Sequence, residues 1–250
     1  MKCATPPCLP GLVCLVLAGC SGGNYSWGWY VVSPLDERGR RNLGFLLEGL
    51  TATISVSFAA IVIAMAAGLV LALVGLSRQR AWRALYRVYV EVVRALPVLV
   101  LLLWVYYGLP VVFGIEFGVF TAGVITLALS DSAFEAEVFR AGIQSVAVGQ
   151  REAAQALGLK RWQTMRHVIL PQAIRRILPA LGNQFVYVLK MSSLISVVGL
   201  QDLTRRANEL NLVEFRPLEV YTLLIGEYLL LILGVSALVR WLERRLGNFS

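Results

Sequence analysis

Long uncharged apolar runs are the feature that most restricts the fold of this chain. The first occupies residues 50–76, and no charged residue lies between Glu48 and Arg78. A helix of about 20 residues crosses a hydrocarbon layer of roughly 30 Å. Backbone amides in lipid must be satisfied within the segment, so each such run is expected to be helical. The sequence therefore predicts a polytopic, all-α membrane protein.

Four further apolar runs predict four further membrane spans. They occupy residues 95–115, 118–134, 177–200 and 220–239. The fourth is interrupted by Lys190, and the fifth contains Glu227. The composition agrees with this count, because 58% of the residues are hydrophobic whereas a soluble domain has about 45–50%. We expect about five transmembrane helices.

The basic residues lie between the apolar runs rather than within one soluble patch. The formal net charge is +8, which would suit a nucleic-acid partner. Such a partner, however, is recognised by basic residues clustered on a soluble face. Three of the segments between and after the runs carry fifteen of the twenty-three Lys and Arg, as expected of cytoplasmic loops. The pattern excludes nucleic acid and predicts a multi-pass membrane protein with an external N-terminus and a cytoplasmic C-terminus.

The first 41 residues differ from the rest of the chain. All four cysteines lie within residues 1–20, and the sequence Leu17-Ala18-Gly19-Cys20 resembles a lipoprotein signal with Cys20 as the lipidated residue. The alternative is a misassigned start codon or a fusion remnant, because the preceding segment is rich in proline and carries only Lys2. Residues 21–41 are rich in Gly, Ser, Trp and Tyr, and they predict an external linker at the headgroup layer.

A long polar loop separates the third and fourth runs. Residues 149–157 form an Ala-rich helix pattern, and Gly158 suits the left-handed position that ends a helix. Beyond it, an apolar stripe of four residues at three-residue spacing predicts an amphipathic helix, and Pro171 suits the first turn of a new helix. The stripe consists of Leu159, Trp162, Met165 and Val168.

At this loop the sequence resembles the EAA loop of bacterial ABC importer permeases. Glu152-Ala153-Ala154, Gly158 and Val168-Ile169-Leu170-Pro171 carry the resemblance, with Val168 where the pattern expects Ile. Other motifs are similar to those of the polar-amino-acid permeases, the histidine and glutamine subfamily, and the likeness covers residues 42–247. These motifs are Val93-Arg94-Ala95-Leu96-Pro97, Tyr107-Gly108-Leu109-Pro110, Ala136-Glu137-Val138-Phe139-Arg140-Ala141-Gly142-Ile143-Gln144-Ser145, Leu181-Gly182-Asn183-Gln184-Phe185 and Ser196-Val197-Val198-Gly199-Leu200.

The resemblance implies the fold of a type I importer permease, a domain at 42–247, and a loop at 149–171 that docks on a cytoplasmic ABC ATPase. The implied partners also include an extracytoplasmic solute-binding protein, a second permease subunit (self or paralogue) and membrane lipid. Without the resemblance, an amphipathic linker on the membrane is the alternative for this loop. The expected ATPase-coupling residues are Glu152, Ala153, Ala154, Gly158, Leu170 and Pro171.

Polar residues inside the apolar runs are the candidates for the translocation path. Lys190 is costly in lipid and is followed by Ser192 and Ser193; alternatively, Lys190 extends to the headgroups or pairs with Glu227. Asp131 and Glu135 share one helix face, and they are either further path residues or, as the residues favour, the solvated end of the third helix.

Two other function classes are disfavoured by the sequence. A secondary transporter would need internal repeats, which are not evident, and would leave the long loop unexplained. A membrane enzyme would need a catalytic constellation, but HExxH, a Ser/His/Asp set and paired-Cys metal spacing are missing and His167 is the only histidine. The chain also lacks a Gly-x-x-x-x-Gly-Lys-Ser/Thr phosphate loop. The sequence thus predicts a non-catalytic transport subunit without a cofactor or metal, whose partner ATPase binds the ATP.

Overall fold

A computed structural model describes the backbone of residues 25–247 and the side chains of residues 25–245. The predicted signal peptide and Cys20 lie outside the described residues. All regular structure within them is helical, and a short 3₁₀ turn at Trp29–Val32 comes first. The helices that follow are α1 (Glu37–Gly75), α2 (Arg80–Ala95), α3 (Val98–Phe113), α4 (Val119–Gln144), α5 (Val148–Ala156), α6 (Arg161–Val198), α7 (Leu203–Glu214) and α8 (Pro217–Gly247).

Four helices, α1, α4, α6 and α8, are long and apolar enough to cross a membrane. The pair α2 and α3 forms a fifth span if it is counted as one unit, with a bend of 98° between its halves. The bend lies at Leu96 and Pro97, because a residue before proline is disfavoured in the helical region and Leu96 is extended. The all-α fold with about five spans is confirmed.

Two of the prolines inside continuous helices each follow a wider π-helical turn. Trp104–Gly108 precedes Pro110 in α3, and Met165–Ile169 precedes Pro171 in α6. Proline lacks an N–H and crowds the carbonyl of the preceding turn. The additional residue in a π turn accommodates this defect without ending the helix. Pro171 therefore does not start a new helix in the membrane, as the sequence predicted, but lies inside α6.

Helix α4 lies at the centre of the bundle and packs closely on α1. A Cβ atom at Gly68 of α1 would lie 2.6 Å from the Cβ of Glu135 and 3.0 Å from the backbone nitrogen of Ala136. Only glycine permits this approach, so Gly68 fixes where the two helices cross. The main apolar core extends from this crossing and includes Val56, Ile61, Leu102, Leu127, Val188 and Ile195.

The N-terminal cap, residues 25–41, is folded onto the last two helices. The Gly28 N–H donates to the buried carboxylate of Glu219 at 2.5 Å, and the Tyr25 hydroxyl donates to the same group. The Arg38 guanidinium donates a bidentate pair of hydrogen bonds to the Glu214 carboxylate, at 3.0 and 2.6 Å. Composition alone predicted a linker here, yet residues 37–41 belong to α1.

Candidate coupling and translocation sites

The loop between the third and fourth predicted runs forms a helix, a tight turn and the start of a second helix. Gly158 has φ +80°, so the predicted left-handed position is confirmed. The Leu159 N–H donates to the Ala154 carbonyl at 3.1 Å, and the Gly158 N–H donates to Gln155 at 2.9 Å. This pair of bonds is the Schellman motif, which satisfies the carbonyls at the end of α5. The polypeptide therefore reverses direction at Gly158.

Contacts with the end of α4 and with α6 hold this segment, hereafter the coupling loop (residues 149–171). Gln172 donates to the side chain of Gln150 at 3.3 Å, and Arg176 donates to the backbone and hydroxyl of Ser145. A small apolar cluster beneath the loop contains Ile143, Val146, Ile169 and Ala173, with Met165 packed against it. The loop is thus a folded unit attached to α4 and α6.

The surface of the coupling loop differs from the predicted one. Glu152, Ala153 and Gly158 are exposed, as are Leu170 and Pro171, but Ala154 is only 4% exposed. Ala154 therefore packs within the protein rather than on its surface. The sequence also missed Leu157, whose side chain is 81% exposed beside the turn.

The predicted apolar stripe is wrong in register. Leu159 precedes α6, and Trp162 is 58% exposed with the Arg166 guanidinium 5.9 Å from its ring centroid. The buried face instead contains Thr164 and Ile169. The π turn at Met165–Ile169 shifts the face by one residue, and a regular 3.6-residue period could not predict that shift.

Basic side chains dominate the electrostatics of the loop. An open cavity of about 430 Å³ at its base is lined by Arg78, Arg151 and Arg161 together with apolar residues of α4 and α6. Glu152 is the only acidic residue between Val148 and Arg176. The Nδ1 of His167, the single histidine, donates to the Gln163 carbonyl at 3.1 Å, and the ring lies on the exposed face. A surface of this sign suits an acidic partner.

The paired carboxylates of α4 are inside the bundle. Asp131 and Glu135 are 2% and 0% exposed, and α4 continues beyond them to Gln144. The favoured interpretation, a solvated helix end, is therefore wrong. Gln184 of α6 donates to one oxygen of Asp131, which links the two helices. The second Asp131 oxygen and both Glu135 oxygens have no hydrogen-bond partner among the described residues.

The other candidates for the translocation path do not contact Asp131 or Glu135 through a hydrogen bond or ion pair among the described residues. Lys190 is exposed on the surface of the bundle and forms no ion pair with Glu227 in the described chain. The Ser192 hydroxyl is buried and donates to the Leu189 carbonyl at 2.8 Å, so it stabilises the helix end. Ser193 donates in the same way to the Lys190 carbonyl at 2.7 Å. Lys190 is thus the one path candidate on the outer surface.

An all-helical bundle of membrane spans with a folded coupling loop on one face is the architecture of a transporter membrane subunit. The chain matches a family model over residues 60–248, and it belongs to that family, the binding-protein-dependent transport system inner membrane component. It is therefore the permease of an ABC importer, a multi-pass inner-membrane transport component rather than a catalytic one.

Two bacterial relatives extend this assignment. The glutamine transport system permease protein GlnP of Escherichia coli K12 is 40% identical over 206 residues, which cover 80% of this chain and 92% of GlnP. A putative glutamine permease of Rickettsia prowazekii is 35% identical over 202 residues, covering 81% of this chain and 93% of that protein.

Solved structures agree with the fold. An amino acid ABC transporter crystallised with histidines is 42% identical, with a TM-score of 0.77 over 82% of this chain and 96% of that one. The MetNI methionine transporter in an inward-facing conformation is 21% identical, with a TM-score of 0.69 over 82% of this chain and 97% of its own. The MetNI likeness concerns the fold alone.

Proposed function

We propose that this permease imports a polar amino acid, glutamine or a similar solute, and that the coupling loop transmits ATP-driven movement from a separate cytoplasmic ATPase. The observation that carries the coupling role is the rigid, exposed turn at Gly158, which joins a docking helix directly to the membrane-spanning part of α6. Such a turn moves as one body with the span. ATP is bound by the partner, and this subunit holds no cofactor.

The docking surface consists of exposed residues around the turn. Glu152, Ala153, Leu157 and Gly158 lie together there, and Leu157 offers an apolar side chain for a pocket on the ATPase. Leu170 and Pro171, which directly follow the π turn inside α6, form the rest of the surface. The arginines at the base of the loop favour acidic residues on the ATPase, whereas Glu152 favours a basic residue opposite it.

The coupling role is tested with Gly158→Arg and Glu152→Lys in the permease–ATPase complex. A Cβ at Gly158 meets no atom within 4 Å, so crowding within the chain is not the cause of any defect. A non-Gly residue at this φ costs about 1–2 kcal/mol, and the long side chain obstructs docking. We expect both variants to reach the membrane but to lose most co-purifying ATPase and most uptake in vesicles.

Gly149→Ala is the matched control, because Gly149 also meets no atom within 4 Å but lacks a positive φ. It should retain the ATPase and uptake. Normal ATPase retention and uptake in Gly158→Arg and Glu152→Lys would refute the coupling role. Vanadate-sensitive uptake that requires the co-expressed ATPase would separate this function from secondary transport.

The cargo proposal is supported by the glutamine permeases that the chain resembles, at 40% and 35% identity. An external solute-binding protein delivers the cargo, and a second permease subunit completes the path. Lys190 is the proposed contact on the path, since it is charged and exposed on the bundle surface where a second subunit can cover it. Competition of unlabelled amino acids with labelled glutamine during uptake tests the cargo. Absence of competition by glutamine itself would refute it.

The orientation proposal places the N-terminal cap outside and the coupling loop inside. Fifteen of the twenty-three Lys and Arg lie within residues 78–94, 140–176 and 240–245, the segments that this orientation places in the cytoplasm. Cysteines placed at Gly149 and Asn208 in a Cys-free background test this. An impermeant reagent should label only position 208 in intact cells, and equal labelling of both would refute the orientation.

A further inference from the structure

Helix α2 has three distinct faces. Its buried face consists of Tyr86, Val90 and Val93, which pack on Ala133 and Ala136 of α4. A second face exposes large apolar side chains, and a third carries arginines. The exposed apolar residues are Trp82, Leu85, Val88 and Val92, each at least 49% exposed. A helix with an exposed apolar face beside a basic face suits the interface between hydrocarbon and water.

The direction of α2 fits an interfacial position. It is bent by 98° from α3, which carries no charged residue between Val98 and Phe113. If α3 runs along the membrane normal, α2 lies close to the membrane plane. Its apolar face can then enter the acyl layer while the arginine face remains at headgroup depth.

The arginine face borders a cavity of about 660 Å³ between α2 and the end of α4. Four arginines line it, Arg80, Arg83, Arg87 and Arg140, and the only carboxylate among the lining residues is Glu137. Glu137 is already occupied, since it accepts bonds from Arg140, at 3.2 and 2.6 Å, and from the Tyr86 hydroxyl.

The three α2 arginines that line the cavity have no acidic partner in it. Arg80, Arg83 and Arg87 form no ion pair in the described part of the chain. Glu91 follows Arg87 on the same helix but is not among the lining residues. The cavity is therefore strongly positive, with Arg80, Arg83 and Arg87 free to donate to an anion.

We propose that this cavity binds the phosphate of an anionic phospholipid headgroup in the leaflet that contains the coupling loop, a site that rests on the orientation proposed above. Guanidinium groups donate paired hydrogen bonds to phosphate oxygens. The apolar face of α2, beside the arginines, supplies the surface for the acyl chains of the same lipid. A free phosphate would use the arginines but not this face, so the adjacent apolar surface favours a lipid.

The test is native mass spectrometry of the permease–ATPase complex in detergent with added phosphatidylglycerol or phosphatidylcholine. The complex should retain phosphatidylglycerol selectively. R80Q/R83Q/R87Q should weaken this retention on the order of 100-fold, since each arginine near an anionic surface contributes several-fold. R80K/R83K/R87K keeps the charge but loses the paired hydrogen bonds, so it should retain more lipid than the Gln variant and less than the wild type. R240Q/R244Q, which removes two arginines from the end of α8, is the control and should bind normally.

Several results would overturn the site. They are equal retention of phosphatidylglycerol by the Gln triple variant, the same loss in the α8 control, and displacement of the lipid by millimolar inorganic phosphate. Loss of the ATPase with unchanged lipid retention would assign the arginines to a protein contact instead. If the triple variant does not fold, R83Q/R87Q provides the same comparison. Lipid retention needs no transport, so failure here is distinct from failure of the proposed import function.

Discussion

The coupling loop and the N-terminal cap differ in how far apart in sequence their contacting residues lie. In the coupling loop, Gln172 bonds to Gln150 and Arg176 to Ser145, pairs separated by 22 and 31 positions. In the N-terminal cap, the bond from Gly28 to Glu219 joins residues 191 positions apart. The loop folds from one contiguous stretch, whereas the cap requires the whole bundle to be assembled.

This difference separates the tasks of the loop and the cap. A loop built from local contacts keeps its shape while the helices around it move, which suits a docking element. The cap instead fastens the start of α1 to α7 and α8, where Arg38 bonds to Glu214. We therefore expect changes in the cap to affect stability first, and changes in the loop to affect coupling first.

The largest expected effect is at Gly39 in the cap. A Cβ there would lie 2.1 Å from the Ser33 carbonyl oxygen and 2.6 Å from the Ser33 nitrogen, and backbone atoms cannot move aside as a side chain can. Gly39→Ala should cost on the order of 3 kcal/mol. Each kcal/mol lowers Tm by about 2–4 °C in a chain of this size. Thermal unfolding of the purified permease measures the loss.

Gly44→Ala in the same helix is the control for Gly39→Ala. A Cβ at Gly44 meets no atom within 4 Å, and alanine favours a helix over glycine by up to about 1 kcal/mol. Its Tm should be unchanged or slightly higher. Equal Tm values for the two variants would show that Gly39 does not lie tightly against Ser33. The proposed difference between a stability role for the cap and a coupling role for the loop would then be wrong.

A smaller effect is expected from overfilling the coupling loop. Ala154→Leu enlarges a side chain that is 4% exposed, so it should destabilise the loop by about 1–3 kcal/mol and lower Tm. Ala153→Leu enlarges its exposed neighbour and should leave the Tm of the isolated permease unchanged while reducing ATPase retention. Tm and co-purification measured on both variants separate folding from docking. Identical profiles would mean that the two alanines have the same role.

The smallest effect concerns the pH dependence of stability at Asp202, which lies between α6 and α7. Its carboxylate caps α7 by accepting from the Arg205 N–H at 2.8 Å, and its second oxygen has no partner among the described residues. Burial raises the pKa of Asp202 to about 6, against about 3.9 for a free aspartate. Between these values the folded state binds more protons than the unfolded state, so stability falls as pH rises from about 4 to 6.

Asp202→Asn should remove this dependence, because the amide cannot ionise and can still cap the helix. The Tm of the wild type relative to Asp202→Asn should fall by roughly 5 °C between pH 4 and 7 and then remain constant. The slope of this Tm difference against pH is the measurement. A parallel decline in both proteins would mean that another group is responsible.

Most of the local structure was predicted correctly from the sequence. The apolar runs predicted the helical spans, and Gly158 was correctly placed in the left-handed conformation that ends α5. The residues that resemble the EAA loop led to the family that the comparisons confirm. Each of these features depends on a short window of sequence.

The errors arose where a distant contact or a local irregularity decided the outcome. Pro171 lies inside α6 because a π turn precedes it, and the same turn moved the buried face away from Trp162. Asp131 and Glu135 looked like a solvated helix end, but neighbouring helices cover them. Composition gave no sign that Tyr25 and Gly28 would bond to Glu219.

The sequence by itself determined the number of spans, their helical state and the turn of the coupling loop, because lipid and a short backbone pattern leave few alternatives. Only the tertiary structure decided which face of each helix is buried. Gly68 allows α1 to pack closely on α4, and Glu135 is buried where the two helices cross. The same packing leaves Lys190 on the surface and sets Arg80, Arg83 and Arg87 around one cavity. Such placements depend on contacts between residues far apart in the chain, which periodicity and composition do not encode.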